Sequence, residues 1–164
     1  MIRLFAALPA ALALAACATA PPAPTYPEAA SYDVSENAMA DVDAALARAG
    51  SSGKRVLLVM GANWCHDSRA LAGWLESARI ATLVEREYEL VFVNIGMPQT
   101  GDGHNLGVAR RFGLADLPGT PNLLVLTPDG TLVNPDTATT WRNAASRSED
   151  AILAELEQLA KVGA

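Results

Sequence analysis

One cysteine in this chain lies among polar residues at a spacing that supports thiol chemistry. Cys65 stands in the run Trp64-Cys65-His66-Asp67-Ser68, shortly after an apolar segment. A cysteine in the first turn of a helix faces unpaired backbone N–H groups and the positive end of the helix dipole, which favour the thiolate. Ser68 would lie on the same helical face, where its hydroxyl could donate to the sulfur. The pattern predicts a nucleophilic thiolate at Cys65.

The residues beside Cys65 leave part of its chemistry open. His66 would add positive charge when protonated, whereas Asp67 opposes it, so their net effect on the thiolate has no fixed sign. Trp64 would shelter one side of the site. The alternative for Cys65 is a buried structural cysteine, and the alternative for Ser68 is a polar residue at a helix end without a role.

The elements that must position Cys65 follow from the spacing of apolar residues. The run Val56-Leu57-Leu58-Val59 has no polar alternation, which is typical of a central strand buried on both faces. Strand, helix and strand at this length predict a parallel crossover unit. The predicted elements are a helix from Ser35 to Ala49, a strand from Arg55 to Met60, a helix from Cys65 kinked near Ser77, a strand from Leu90 to Asn94, a short helix from Asn105 to Phe112, an antiparallel hairpin of 123–126 with 132–133, and a last helix from Ser148 to Lys161.

Two motifs in this order resemble the thioredoxin superfamily. The first is Ala62-Asn63-Trp64-Cys65-x-x-Ser68 between a strand and a helix, and the second is Gly119-Thr120-Pro121 before the hairpin. The resemblance covers about residues 36–162. It implies an α/β thioredoxin-like fold with a central mixed sheet of about four strands flanked by helices.

The resemblance also implies roles for particular residues. Ser68 takes the place of the second cysteine of the family motif, which makes this a C-x-x-S variant. Pro121 corresponds to the family's cis-proline, with Pro118 as the rival position, and the backbone of Thr120 would face an extended substrate. Val59 stands where thioredoxins usually hold a buried aspartate.

These features predict a single-thiol protein. A mixed disulfide at Cys65 has no internal thiol to release it, so the expected activity is monothiol exchange or reversible oxidation. Cys65 and Ser68 are the candidate catalytic residues, and Trp64, His66, Thr120 and Pro121 are the candidate substrate-binding residues. The expected partners are protein or small-molecule thiols and disulfides.

Two other functions are compatible with the same residues. One is a non-enzymatic module that binds a peptide or partner protein in the same cleft. The other is a metal-delivery lipoprotein, although the two histidines, His66 and His104, show no standard metal-ligand spacing with Cys65. We expect no metal and no cofactor.

The N-terminus is predicted to be an export signal rather than part of the folded domain. Residues 1–16 have a short positive region and an apolar run too short to span a bilayer, as in a signal peptide. Leu14-Ala15-Ala16-Cys17 resembles the lipobox of bacterial lipoproteins, which implies a lipid on Cys17. The alternative is an ordinary cleaved signal with a chance cysteine.

The lipobox divides the chain into three parts. Residues 17–35, rich in Pro and Ala, would form a lipidated tether, and 36–164 the domain. Ala18 follows the cysteine. An aspartate at this position would resemble an inner-membrane retention signal, so the alanine favours the outer membrane facing the periplasm.

The net charge of the chain disfavours two further classes of partner. The formal net charge is −6, and loss of Arg3 with the signal peptide makes it −7. An acidic chain of this kind disfavours nucleic acid or an anionic membrane surface as its main partner.

Overall fold

The sheet is built around one strand that has no exposed residue. A computed structural model describes residues 25–35 and 37–162. The strands are β1 Arg55–Gly61, β2 Tyr88–Asn94, β3 Gly96–Met97, β4 Asp102–Gly103 and β5 Asn122–Leu126, and the helices are α1 Ala38–Ser52, α2 His66–Leu75, α3 Ala78–Glu87, α4 Leu106–Arg111 and α5 Glu149–Leu159. The main sheet has the order β2-β1-β5, in which β2 pairs with β1 in parallel and β5 pairs with β1 antiparallel. The predicted mixed α/β architecture is confirmed.

Both faces of β1 are covered by helices. Leu57 and Val59 belong to the core layer under α2, α3 and α5. Val56, Leu58 and Met60 belong to the layer under α1 and α4. Since successive strand residues point to opposite faces, a strand buried on both sides needs apolar residues at every position. This explains why the sequence of β1 shows no alternation.

The helix boundaries differ from the predicted ones mainly at α1. Its cap is Asn37, whose side chain accepts the Ala40 N–H at 3.1 Å, and not the predicted Ser35. The hydroxyl of Ser35 is occupied by a hydrogen bond to Asp41. The kink expected near Ser77 is a complete break, with Ser77 as the N-cap of α3. Within the described residues, no helix is long and apolar enough to cross a membrane.

The fourth strand of the predicted sheet is reduced to one bridge. Leu132 forms an isolated antiparallel bridge with Leu126, and the Val133 N–H donates to the Val125 carbonyl at 2.9 Å. Beyond this point the side chain of Asn134 takes the place of a strand backbone. Its Oδ1 accepts the Val125 N–H and its Nδ2 donates to the Leu123 carbonyl, both at 2.9 Å. A buried amide thus satisfies the edge of β5, so no longer ladder is needed.

Residues 27–32, here called the N-terminal strap, pack against α2. The Ala29 N–H donates to the Arg69 carbonyl at 3.0 Å, and Glu28 forms an ion pair with the Arg69 guanidinium at 3.2 Å. Tyr32 is 1% exposed and belongs to the core. Residues 27–32, which the sequence analysis assigns to the tether, thus contact the domain in this structure. The predicted signal peptide, the lipidation site and residues 17–24 of the predicted tether lie outside the described residues.

The contact between the strap and α2 predicts an unusual effect of a helical Gly-to-Ala substitution. A Cβ on Gly73 would lie 2.5 Å from the Pro27 carbonyl carbon, whereas a Cβ on Gly107 in α4 would meet nothing closer than 4.0 Å. Alanine normally stabilises a helix over glycine by about 0.5–1 kcal/mol. We expect Gly107→Ala to raise the free energy of unfolding by about that amount, and Gly73→Ala to lower it. Urea denaturation measures both, and stabilisation by Gly73→Ala would show that the strap does not lie on α2.

Candidate active site

Cys65 lies at the start of α2, as its sequence position predicts. It is the N-cap residue, with extended backbone angles φ −86° and ψ 123°. Its N–H donates to the Ala62 carbonyl at 3.1 Å, and its carbonyl accepts the Arg69 N–H at 3.0 Å. The residue is 8% exposed, so the sulfur lies at the surface edge of the core. The first-turn N–H groups of α2 have no carbonyl partner within the helix and point toward this end.

The Thr120–Pro121 peptide bond is cis, and it faces the cysteine. It is the only cis bond among the described residues, so Pro118 is not the cis-proline. The Cys65 thiol lies 3.6 Å from the Thr120 carbonyl oxygen and donates a hydrogen bond to it. Thr120 is 5% exposed. While Cys65 is protonated, its thiol occupies the Thr120 carbonyl, and a substrate would have to displace that contact.

Ser68 is placed differently from the expectation. Its Oγ accepts the Ala62 N–H at 3.4 Å, and its side chain is fully buried. Among the hydrogen bonds of the described residues none joins Ser68 Oγ to Cys65 Sγ, so the bond that the sequence analysis expects is not formed. The reason is that the hydroxyl turns inward, toward the backbone that enters the active-site turn. Ser68 therefore holds the turn between β1 and α2 in this structure.

Tyr32 completes the floor of the site, and the sequence analysis missed it. Its hydroxyl donates to the Ser68 carbonyl at 3.1 Å. A Cβ built on Gly61 would lie 2.7 Å from both Ser68 Oγ and the Tyr32 ring, so the ring and the hydroxyl close on the same point. Tyr32 also packs edge-on against Phe92, with ring centroids 5.2 Å apart. The signal in the sequence was a tyrosine, one of two in a stretch otherwise rich in Pro, Ala and Ser.

Two asparagines fix the backbone of Tyr32. The Asn63 side chain accepts the Tyr32 N–H at 3.1 Å and donates to the Tyr32 carbonyl at 3.2 Å. Asn94 donates to the same carbonyl at 3.0 Å. Because Asn63 lies in the active-site turn and Asn94 ends β2, the strap is tied to both elements beside Cys65. Asn63 thus does more than form the turn that the sequence predicts.

The electrostatics keep Tyr32 neutral. Burial raises the pKa of the Tyr32 hydroxyl far above its ordinary value of 10.0, and the negative charge of a Cys65 thiolate raises it further. A hydrogen bond with the Ser68 side chain lowers the pKa but is the smaller effect. Tyr32 is therefore a hydrogen-bond donor and not a base in this site.

Trp64 and His66 are exposed on either side of the cysteine. Trp64 is 49% exposed, and its Nε1 donates to the Gly96 carbonyl at 2.9 Å. This bond fixes the glycine-rich loop beside the site. His66 Nε2 lies 3.2 Å from Asp67 Oδ2, and the His66 side chain is 65% exposed. Both residues can contact a molecule that approaches the sulfur.

The site has one buried carboxylate, that of Asp67, and none at Val59. Asp67 is the only buried carboxylate in the part of the chain that the structure describes, and its Oδ1 accepts the Ala145 N–H at 2.8 Å. It links the start of α2 to the turn at 144–146. Val59 is fully buried in β1 and offers no proton acceptor under the site. In the loop after β2, His104 Nε2 lies 3.1 Å from Asn94 Oδ1.

The described residues hold no group of three His, Cys, Asp or Glu side chains that could bind a metal ion. Cys65 is a free cysteine. The chemistry available here is thus that of one thiol at a helix start, next to a cis peptide bond and an exposed tryptophan.

Comparison with known proteins agrees with this geometry. The thioredoxin-like family matches residues 37–128, more than half of the chain, and the chain belongs to that family. A crystal structure described as a disulphide isomerase from Xylella fastidiosa Temecula1 is similar, with 29% sequence identity and a TM-score of 0.71. The similarity covers 79% of this chain and 96% of that one. No curated protein matches the chain.

The buried hydroxyl of Tyr32 leads us to expect a pH-dependent effect of Tyr32→Phe on stability. At pH 7 we expect the variant to lose about 1 kcal/mol of unfolding free energy, the usual contribution of one buried hydrogen bond. Above pH 10 the unfolded wild-type phenol ionises while the buried one resists, so wild-type stability falls and the difference shrinks by up to about 1.4 kcal/mol per pH unit. Urea denaturation at pH 7 and pH 11 measures this.

Tyr26→Phe, at a partly exposed tyrosine of the same segment, serves as the matched control. A penalty for Tyr32→Phe that stays constant from pH 7 to pH 11 would contradict the buried position of the hydroxyl.

Proposed function

We propose that this chain is a thiol-disulfide exchange protein that works through one thiol, Cys65. The observation that carries the proposal is the position of Cys65 Sγ at the start of α2, 3.6 Å from the carbonyl of the cis Thr120–Pro121 unit. The similarity to a protein described as a disulphide isomerase supports the same chemistry.

The reaction is one nucleophilic exchange. The Cys65 thiol loses its proton to solvent, and the thiolate attacks one sulfur of a substrate disulfide. The substrate S–S bond breaks, a mixed disulfide forms at Cys65, and the second substrate sulfur leaves as a thiolate. No side chain of the described residues is placed as a buried base, since Tyr32 stays neutral and Asp67 bonds Ala145.

A second step must release the mixed disulfide. A thiol of the same substrate can attack the substrate sulfur bound to Cys65, which regenerates the Cys65 thiolate and leaves a rearranged substrate disulfide. This sequence consumes no oxidant and no reductant, so it needs no second cysteine in the protein. A small-molecule thiol can perform the same release. Isomerisation of protein disulfides is therefore the form of exchange that suits a C-x-x-S site best.

The surroundings of the sulfur contribute binding and charge. The first-turn N–H groups of α2 stabilise the thiolate. When the thiol ionises it no longer donates to Thr120, so the Thr120 carbonyl becomes free to accept an N–H from an extended peptide. Trp64 and His66 supply exposed contacts beside that peptide. Ser68 acts through the turn that it holds.

Trapping of the mixed disulfide tests this function. We expect wild-type protein to accumulate a mixed disulfide with an unfolded disulfide substrate, and Cys65→Ala to accumulate none. Ser68→Cys restores a resolving thiol and should release the substrate, lowering the trapped fraction at least several-fold. Non-reducing gels followed by mass spectrometry measure the adduct. Substrate capture that survives in Cys65→Ala would favour a non-covalent binding module, and no adduct with wild type would refute the exchange function.

We also propose that the domain is lipid-anchored in a bacterial cell envelope through Cys17, on the outer membrane facing the periplasm. Support comes from the sequence Leu14-Ala15-Ala16-Cys17 and from Ala18. Several acyl chains at about 0.8 kcal/mol per buried methylene give a stable anchor. The strap would then connect the tether directly to the wall of the active site.

Metabolic labelling with a palmitate analogue tests the anchor. We expect label on the wild-type chain and loss of both label and membrane association in Cys17→Ala, while Cys65→Ala remains labelled. Unlabelled wild-type protein in the soluble periplasmic fraction would contradict the proposal and indicate an ordinary cleaved signal.

A further inference from the structure

One arginine lies beside the cis-proline turn without an acidic partner. Arg142 is exposed, and no carboxylate of the described residues lies within ion-pair distance of it. By contrast, six other arginines each pair with an acidic residue; these are Arg48, Arg69, Arg79, Arg86, Arg111 and Arg147. The other exposed arginine of the described residues without an acidic partner, Arg110, lies on α4. In an acidic chain, an unpaired guanidinium at the edge of the candidate site calls for a physical explanation.

The side chain of Arg142 lies across the residue that precedes the cis unit. A Cβ on Gly119 would lie 2.7 Å from Arg142 Cδ and 3.5 Å from its Nη1. Nη1 donates a long hydrogen bond of 3.5 Å to the Pro118 carbonyl. Because Gly119 has no side chain, the arginine stem fits against the turn. Its guanidinium is thus held one residue away from Thr120, whose carbonyl contacts the Cys65 sulfur.

The segment that carries Arg142 is fixed at both ends. Trp141 is fully buried, and the Arg147 guanidinium stacks over its ring at 4.1 Å from the centroid. Three residues beyond Arg142, the Ala145 N–H is held by Asp67 of α2. The arginine therefore projects from a rigid segment tied to the helix that Cys65 caps.

A neutral donor and two exposed apolar side chains lie on neighbouring segments. The Nε2 of Gln99 would lie 3.6 Å from a Cβ on Gly119, so an amide donor approaches the same turn as the arginine. Trp64, whose Nε1 donates to the Gly96 carbonyl, is 49% exposed, and Met97, the residue after Gly96, is 40% exposed. These segments thus present two apolar side chains and two N–H donors, one of them cationic.

We infer that Arg142, assisted by Gln99, binds a carboxylate of the substrate next to the disulfide that Cys65 attacks. The ligand class is a peptide disulfide with an acidic residue beside the reacting cysteine. This inference rests on the proposed exchange function and adds its substrate preference. A guanidinium is suited to the purpose because its planar N–H groups match a carboxylate in two-point geometry.

Peptides that differ in one residue test the inference. Three peptides carry Glu, Gln or Lys beside one cysteine, which is activated as a 2-pyridyl disulfide. Attack by Cys65 on the peptide sulfur breaks the S–S bond and releases 2-thiopyridone, whose absorbance gives the second-order rate constant. At low salt we expect wild type to prefer the Glu peptide over the Gln peptide about two- to five-fold, the size that an exposed ion pair provides. The Lys peptide should react more slowly than the Gln peptide.

The variants separate charge from structure. Arg142→Gln should abolish the discrimination among the three peptides, and Arg142→Lys should retain part of it. Arg110→Gln removes another exposed arginine, on α4, and should leave the discrimination as it is in wild type. High salt should compress the preference in wild type, because it screens exposed charges.

Three results would overturn the inference. Discrimination that persists in Arg142→Gln would assign it to another group, and an equal loss of rate with all three peptides would give Arg142 a purely structural role. Equal wild-type rates with the three peptides would show that no charge is recognised, while the exchange function itself would stand. If wild type reacts with none of the peptides, the proposed function fails instead.

Discussion

The active-site turn depends on how the space beneath it is filled. Gly61 ends β1 with no room for a Cβ, because Ser68 Oγ and the Tyr32 ring both close on that point at 2.7 Å. The ring enters from the strap, and its hydroxyl supports the Ser68 carbonyl. Cys65 is therefore held by groups from β1, from α2 and from a segment more than thirty residues earlier. Close packing of this kind transmits any change in one of them to the others.

The same packing occupies the space beneath a site that lacks two groups usual in thioredoxins, a buried carboxylate and a second thiol. Val59 leaves no carboxylate under the cysteine, and Ser68 leaves no second thiol. A buried neutral phenol lies in this region instead, and burial keeps it protonated. The floor of the site then supplies hydrogen bonds but neither a proton acceptor nor a competing nucleophile. The remaining carboxylate, Asp67, is used to attach the turn at 144–146.

Local patterns in the sequence predicted those parts of the molecule that local physics determines. An unbroken apolar run gave β1, and the position of Cys65 after it gave the start of α2. The cis bond at Thr120–Pro121 followed from the family resemblance. The roles of Tyr32, Asn134 and Arg142 were not predictable, because each depends on contacts across the chain. An asparagine that replaces a strand, or a tyrosine in a proline-rich stretch, has no periodicity that would distinguish it from a loop residue.

In the proposed exchange reaction, a single thiol would also shift control from the protein to its substrate. In a two-cysteine site the internal thiol competes with every other route out of the mixed disulfide. With Ser68 in that position, the mixed disulfide of the proposed reaction would last until a substrate thiol or a small thiol reaches the sulfur bound to Cys65. Contacts that hold the substrate beside Cys65 would then determine which thiol arrives first. Residues such as Trp64 and Arg142 would thus influence the product as well as the affinity, because each fixes the orientation of the bound peptide relative to the sulfur.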